Sequence, residues 1–297
     1  MTLVKQFEDC KNCESQLAPG AEYCMRCGAQ VIDEEFTFKF LKNDFSERFV
    51  DIDNNLLVRT VRDMVMRPEV VIGGYIDGVR KRHLRLSNYI AIAITLSGLL
   101  IFALQKYFPE AMDMTWMFDP ESPAFKDNPY LQNGQDPMAN AWWMEYQGII
   151  YILMIPIYAL MSKLTFLNQK AYSYLKHIVI VGYSQAQMSV VLFLPILIYL
   201  SFGGNYMKMS LWVMLLMFLY SCYVYKRIFK LSIGGIIGRG FLFIGIVIGV
   251  YLLLIIGVVI FVVATGAARP AAPSPEDLEA VKDTISYISS SAINWTS

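Results

Sequence analysis

The stretch FLFIGIVIGVYLLLIIGVVIFVVAT, residues 241–265, runs for 25 residues without a charged side chain. A helix at a water-facing surface needs a polar face, and this segment has none. About 20 apolar residues in helical form cross the ~30 Å hydrocarbon layer of a bilayer. Four earlier stretches meet the same condition: 87–108, 142–161, 177–200 and 206–225. Hydrocarbon offers no backbone partners, so each must be a helix that satisfies its own peptide groups. The expected fold is therefore an all-α polytopic membrane protein with five transmembrane helices spread over 87–265. Composition agrees, with 56% hydrophobic and only 17% charged residues.

Orientation is read from Lys and Arg beside the span ends. Twelve lie on one side: Arg67, Arg80, Lys81, Arg82 and Arg85 before the first span, Lys163, Lys170 and Lys176 after the second, and Lys226, Arg227, Lys230 and Arg239 after the fourth. Five lie on the other: Lys106, Lys126, Lys208, Arg269 and Lys282. The expected topology puts the N-terminus in the cytoplasm and the tail, 266–297, outside. Residues 1–13 lack the apolar core of a cleaved signal peptide. The net charge is zero, so no nucleic-acid partner is expected.

A cytoplasmic front end keeps thiols reduced. Residues 10–27 read CKNCESQLAPGAEYCMRC, two Cys-x-x-Cys pairs. Cys10, Cys13, Cys24 and Cys27 can offer four thiolates to one tetrahedral Zn²⁺, and Pro19-Gly20 supplies the bend between them. Four protein ligands leave no position for substrate, which makes the expected ion structural. Iron in a rubredoxin-like site and a redox dithiol pair are the alternatives. Residues 1–32 are too few to fold by burying a core, so metal binding would drive their folding. The stretch looks like the short zinc ribbon at the front of many bacterial membrane proteins. Those usually place Gly after each pair; here Gly28 follows the second, and Glu14 follows the first.

Residues 33–55 read as a linker with an aromatic stretch, where Phe36, Phe38 and Phe40 alternate with polar residues; a short strand is the alternative. Residues 56–86 read as amphipathic or interfacial helices on the cytoplasmic side. Leu57, Val61, Met64 and Val65 share one helical face, with Arg59, Arg62, Asp63 and Arg67 mostly on the other, and Pro68 ends the run. Such a helix either lies in the membrane interface or packs against the protein's own loops. Arg80, Lys81, Arg82 and Arg85 are expected to meet anionic lipid headgroups.

The order of ribbon, T-x-x-D-M-x-x-R-P, G-Y-I-x-G-x-R-K-R and span resembles an uncharacterised family of bacterial multispan proteins. The carriers are Thr60, Asp63, Met64, Arg67, Pro68, Gly74, Tyr75, Ile76, Gly78, Arg80, Lys81 and Arg82, and the stretch YSYLKHIVIVGYSQAQ at 172–187 is similar as well. The resemblance implies architecture and a bacterial inner-membrane location, with little about activity. Five spans in this topology are also similar in plan to Yip-type trafficking proteins, an analogy of fold alone.

Ion-driven transporters keep ionisable groups near the membrane midplane, and these spans have none there. The most polar intramembrane stretch is Tyr183, Ser184, Gln185 and Gln187, which predicts hydrogen bonds between helices or a ligand contact. Gly245, Gly249 and Gly257 form a small-residue face suited to close helix packing, within one chain or between copies. His83 and His177 each neighbour a basic residue and read as headgroup contacts. No Walker A loop, H-E-x-x-H or G-x-S-x-G motif occurs, so no enzymatic activity is expected. Two functions remain. One is an adaptor or assembly protein with a zinc-bearing docking head, its partners being membrane lipids and a protein partner or second copy. The other is a permease or lipid-handling protein using the polar site in the third span.

Overall fold

The computed structural model describes residues 9–29, 31, 38, 54–79, 81–113 and 142–265. Most of the aromatic linker, the loop 114–141 and the tail 266–297 lie outside the described residues. The chain divides into two compact units, Met1–Ile244 and Gly245–Ser297. The helices are α1 Asn54–Met66, α2 Pro68–Ile76, α3 Leu86–Tyr107, α4 Trp142–Glu145, α5 Gln147–Thr165, α6 Tyr174–Ser201, α7 Tyr206–Ile228 and α8 Ile233–Thr265, with a 3-10 turn at Pro109–Met112. No strand forms among the described residues. Helices α3, α5, α6, α7 and α8 are each long and apolar enough to cross a bilayer. The all-α fold with five candidate spans is thus the observed one.

The bounds of two spans differ most from expectation. The second span begins at Gln147 rather than 142, because the backbone breaks at Tyr146 and leaves α4 as a separate turn. It then runs past 161, since the Lys163 ammonium reaches the Tyr172 carbonyl at 2.6 Å. The fifth helix begins at Ile233 rather than 241. Arg239 lies inside it, with its guanidinium folded onto the Gly235 carbonyl at 3.2 Å and 5.6 Å over the Phe166 ring. A charge that hydropathy reads as a boundary is here accommodated by backbone and an aromatic face.

Helix α6 is the centre of the first unit, and half of its apolar length is buried, more than in any other span. It runs parallel to α3: Gly182 faces Leu86 at one end, and Ile196 and Leu200 join Leu100 and Leu104 at the other. A Cβ at Gly182 would stand 2.9 Å from Leu86 Cδ1, so glycine here permits the close approach. Helices α5 and α7 run antiparallel to α6. Ser162 meets His177, Tyr151 meets Ser189, and Tyr225 and Phe229 lie beside the His177 ring. The α6–α7 turn is tight. Gly203 takes left-handed geometry (φ +76) and donates to the Leu200 carbonyl, and Asn205 then caps α7 by accepting from the Lys208 amide at 2.9 Å.

Helices α1 and α2 form a cap beside the start of α3. Pro68 ends α1 as expected and then serves as the first residue of α2. The cap packs on α6 and α7, burying Met64, Val71, Ile72 and Tyr75 in the same core as Leu86, Tyr89 and Ile180.

Candidate functional site

Each cysteine pair sits in the same turn. The Glu14 amide bonds the Cys10 carbonyl and the Gly28 amide bonds the Cys24 carbonyl, both at 2.7 Å. Equivalent residues close the two turns in left-handed conformation, Glu14 at φ 59 and Gly28 at φ 63. The first turn therefore keeps the geometry while lacking the glycine that favours it. An isolated bridge between Asp9 and Gln16 closes the first turn from outside.

These turns aim four sulfurs at one point. All lie within 4.8 Å of one another, and the pairs Cys10–Cys27 and Cys13–Cys24 are 3.7 Å apart. Four thiolates at ~2.3 Å from a tetrahedral ion stand about 3.8 Å apart, so the donor set fits such an ion. The four thiols are free and do not pair as disulfides. Ser15 was not singled out by the spacing argument. Its hydroxyl lies 3.0 Å from Cys13 Sγ and 3.3 Å from Cys24 Sγ. That contact lowers the Cys13 thiol and takes Cys24 down to about 6, whereas burial pushes Cys10 up to about 11. The Ser15 contact shifts both Cys13 and Cys24 toward thiolate, the form that ligates metal.

Both turns touch the loop before α3. The Lys81 amide donates to Asn12 Oδ1 at 3.3 Å, and its ammonium donates to the Cys27 carbonyl at 3.1 Å. Lys81, itself exposed, thus bonds both turns of the cysteine head. Arg82 is exposed and Arg85 half-buried, while Arg80 lies outside the described residues.

The cap contains a buried polar network that the amphipathic reading missed. Asp63, assigned there to the polar face, is only 2% exposed. The reason is its partners. His83 Nε2 donates to Asp63 Oδ2 at 3.0 Å, and Arg62 and Arg67 approach Oδ1 at 3.2 and 3.4 Å. Burial acts to raise the Asp63 carboxyl, but the bonds from His83, Arg67 and Arg62 outweigh it and hold it at about 2. Burial lowers His83 below the ordinary histidine value despite Asp63. Beside this pair, Leu84 is clamped from two sides. Its amide donates to Thr60 Oγ1 at 2.9 Å, and its carbonyl accepts from the Tyr183 hydroxyl at 2.7 Å.

Gln187 completes the network. Its amide donates to the Val61 carbonyl at 3.1 Å, and its carbonyl accepts from the Tyr89 hydroxyl. Ser184 bonds back to the Ile180 carbonyl at 2.7 Å, and Gln185 is half-buried. Of the polar quartet, Tyr183 and Gln187 tie α6 to the cap and α3.

The headgroup reading fails for both histidines. His83 is held by Asp63. His177 is fully buried among Phe166, Tyr225 and Phe229, with Nδ1 2.7 Å from Ser162 Oγ. In the second unit, a Cβ at Gly245, Gly249 or Gly257 would meet no described atom within 4 Å. No protein-family model, curated protein or solved structure matches this chain.

Proposed function

We propose that the chain is a membrane-embedded adaptor or assembly protein whose front end is a structural zinc ribbon on the cytoplasmic side. The carrying observation is the set of four sulfurs within 4.8 Å of one another, two of the pairs at 3.7 Å. Such a set fills its own coordination shell, which supports a scaffold rather than a catalytic ion. Zinc is favoured over iron because it gains folding energy without redox chemistry, and the Lys/Arg bias supports a reducing compartment. The ribbon presents its outer surface to a protein partner while Lys81 seats it beside the membrane. Membership of a bacterial inner-membrane family with this order of motifs belongs to the same proposal.

The competing reading, a permease or lipid-handling protein built on Gln185 and Gln187, has less support. Gln187 gives an amide N–H to Val61 and its carbonyl to Tyr89, so it already holds the bundle together.

Metal analysis of protein purified from native membranes tests the proposal, with the expected result of about one zinc per chain. Cys10→Ser should lose the ion and the crosslinked partner while the five spans stay inserted. Metal-free native protein, or a head that reagents reach only from outside the cell, would overturn it.

A further inference from the structure

Helix α1 has a second face, and it is the wrong one for water. The face of Leu57, Val61 and Met64 is spent on the core. Facing away stand Val58, Val65 and Met66, 69%, 50% and 62% exposed, interleaved with exposed Arg59 and Arg62. Three exposed apolar side chains in a 13-residue helix that already buries another face call for an apolar surrounding.

The helix is bolted to the spans at a definite depth. Gln187 of α6 donates to the Val61 carbonyl, and Tyr220 and Tyr223 of α7 donate to the Met64, Val65 and Met66 carbonyls at 2.9–3.1 Å. At 1.5 Å per residue, Gln187 stands about 21 Å from Ser201 at the far end of α6. By the same rise, Tyr220 and Tyr223 stand about 21 and 26 Å from Tyr206 at the far end of α7. A hydrocarbon layer ~30 Å thick, measured from those ends, reaches α1. The exposed face therefore lies along the edge of that layer, where acyl chains give way to phosphates.

We propose that this outer face of α1 binds anionic phospholipid. Val58, Val65 and Met66 meet the upper acyl chains, and the guanidinium groups of Arg59 and Arg62 meet the headgroup phosphate. Arginine suits this position because its planar fork takes phosphate oxygens in pairs and carries its charge at any physiological pH. Arg62 also contacts Asp63 at 3.2 Å, which orients its fork along the helix surface. Arg59 is the freer of the two to follow a headgroup. The proposal is independent of the zinc-ribbon reading and of which leaflet the cap faces.

The test uses the full-length protein reconstituted in phosphatidylcholine vesicles with and without phosphatidylglycerol. Val58→Trp and Met66→Trp each add one indole, whose emission is read as the difference from the parent protein. Acyl-brominated lipid should quench the added indole, and brominated phosphatidylglycerol should do so in preference to brominated phosphatidylcholine. Arg59→Gln in the Val58→Trp background should reduce that preference about fivefold, the factor equivalent to ~1 kcal/mol per cation beside anionic lipid. Arg59→Lys should restore most of it. Unchanged hydrogen exchange across α1 shows that these variants keep the cap folded. Quenching by aqueous iodide with none from brominated lipid would overturn the proposal. So would equal quenching by the two lipids that Arg59→Gln leaves unaltered.

Discussion

Replacing Asp63 with asparagine preserves the shape of the cap and removes its buried charge. Two routes give the size of the effect. Arg62 and Arg67 keep 60% and 48% of their side chains exposed, so their loss from the ion pair matters little. His83 is 7% exposed, and its hydrogen bond to a charged acceptor contributes ~1.5–3 kcal/mol. Independently, holding the carboxyl at about 2 against an ordinary 3.8 corresponds to ~2–3 kcal/mol of stability near neutral pH. The routes agree on ~2–3 kcal/mol, or roughly 30- to 150-fold faster amide exchange across α1 and the 81–85 loop in Asp63→Asn. Exchange measured by mass spectrometry in detergent or nanodiscs reads this directly. The pH dependence has a definite sign. A depressed carboxyl contributes fully above about pH 4 and loses its contribution as the pH falls toward 2. His83, lowered by burial, adds a loss that begins as the pH drops below about 6.5. Thermal unfolding should therefore show the cap weakening on acidification, less steeply in Asp63→Asn between about pH 4 and 2, and no less steeply between about pH 6.5 and 4, because Asp63 is what raises His83 against its burial. Exchange in α1 that Asp63→Asn leaves unchanged would refute the reasoning, as would equal acid sensitivity in the two proteins.

Glu14→Gly relieves a left-handed residue and should tighten zinc binding about two- to fivefold in competition with a chromophoric chelator, reflecting the ~1 kcal/mol cost of that conformation less the added chain entropy. Gln187→Leu strands the Tyr89 hydroxyl and removes the bond that ties α6 to the Val61 carbonyl, and should lower apparent unfolding stability by ~1–2 kcal/mol while raising exchange in α1. Gly182→Leu forces atoms into the space of Leu86 and Ile90 and should cost ~1–3 kcal/mol, whereas Gly98→Ala, whose Cβ meets no described atom within 4 Å, should be neutral or slightly stabilising by thermal melt.

The spans were legible because lipid imposes a long, uniform demand on composition, which a single sequence displays without reference to any partner. Their ends were less so. Arg239 and Lys163 are charges whose neighbours in space, Phe166 and the Tyr172 carbonyl, let the helix continue past them. The cysteine cluster was legible because metal geometry fixes ligand type and spacing within a short segment. Ser15 carried no such signal: a hydroxyl between two cysteine pairs is common in any loop. Asp63 was misassigned because amphipathic periodicity sorts charges from apolar residues and says nothing of partners elsewhere. Its companion His83 lies 20 residues along. Gln187 was correctly singled out as needing partners, but Val61 and Tyr89 became identifiable only once α1, α3 and α6 were packed.

The bonds that seat α1 also set an order of events during synthesis. The acceptors at Val61, Met64 and Val65 leave the ribosome early, whereas the donors Gln187, Tyr220 and Tyr223 follow 126, 156 and 158 residues later. At ~5–20 residues per second, the last turn of α1 waits about 8–32 s for its closing hydroxyls. During that interval the last turn of α1 lacks the hydroxyls that close it. Emergence of the fourth span ends that window, so completion of the cap reports that the translation of most of the bundle has succeeded.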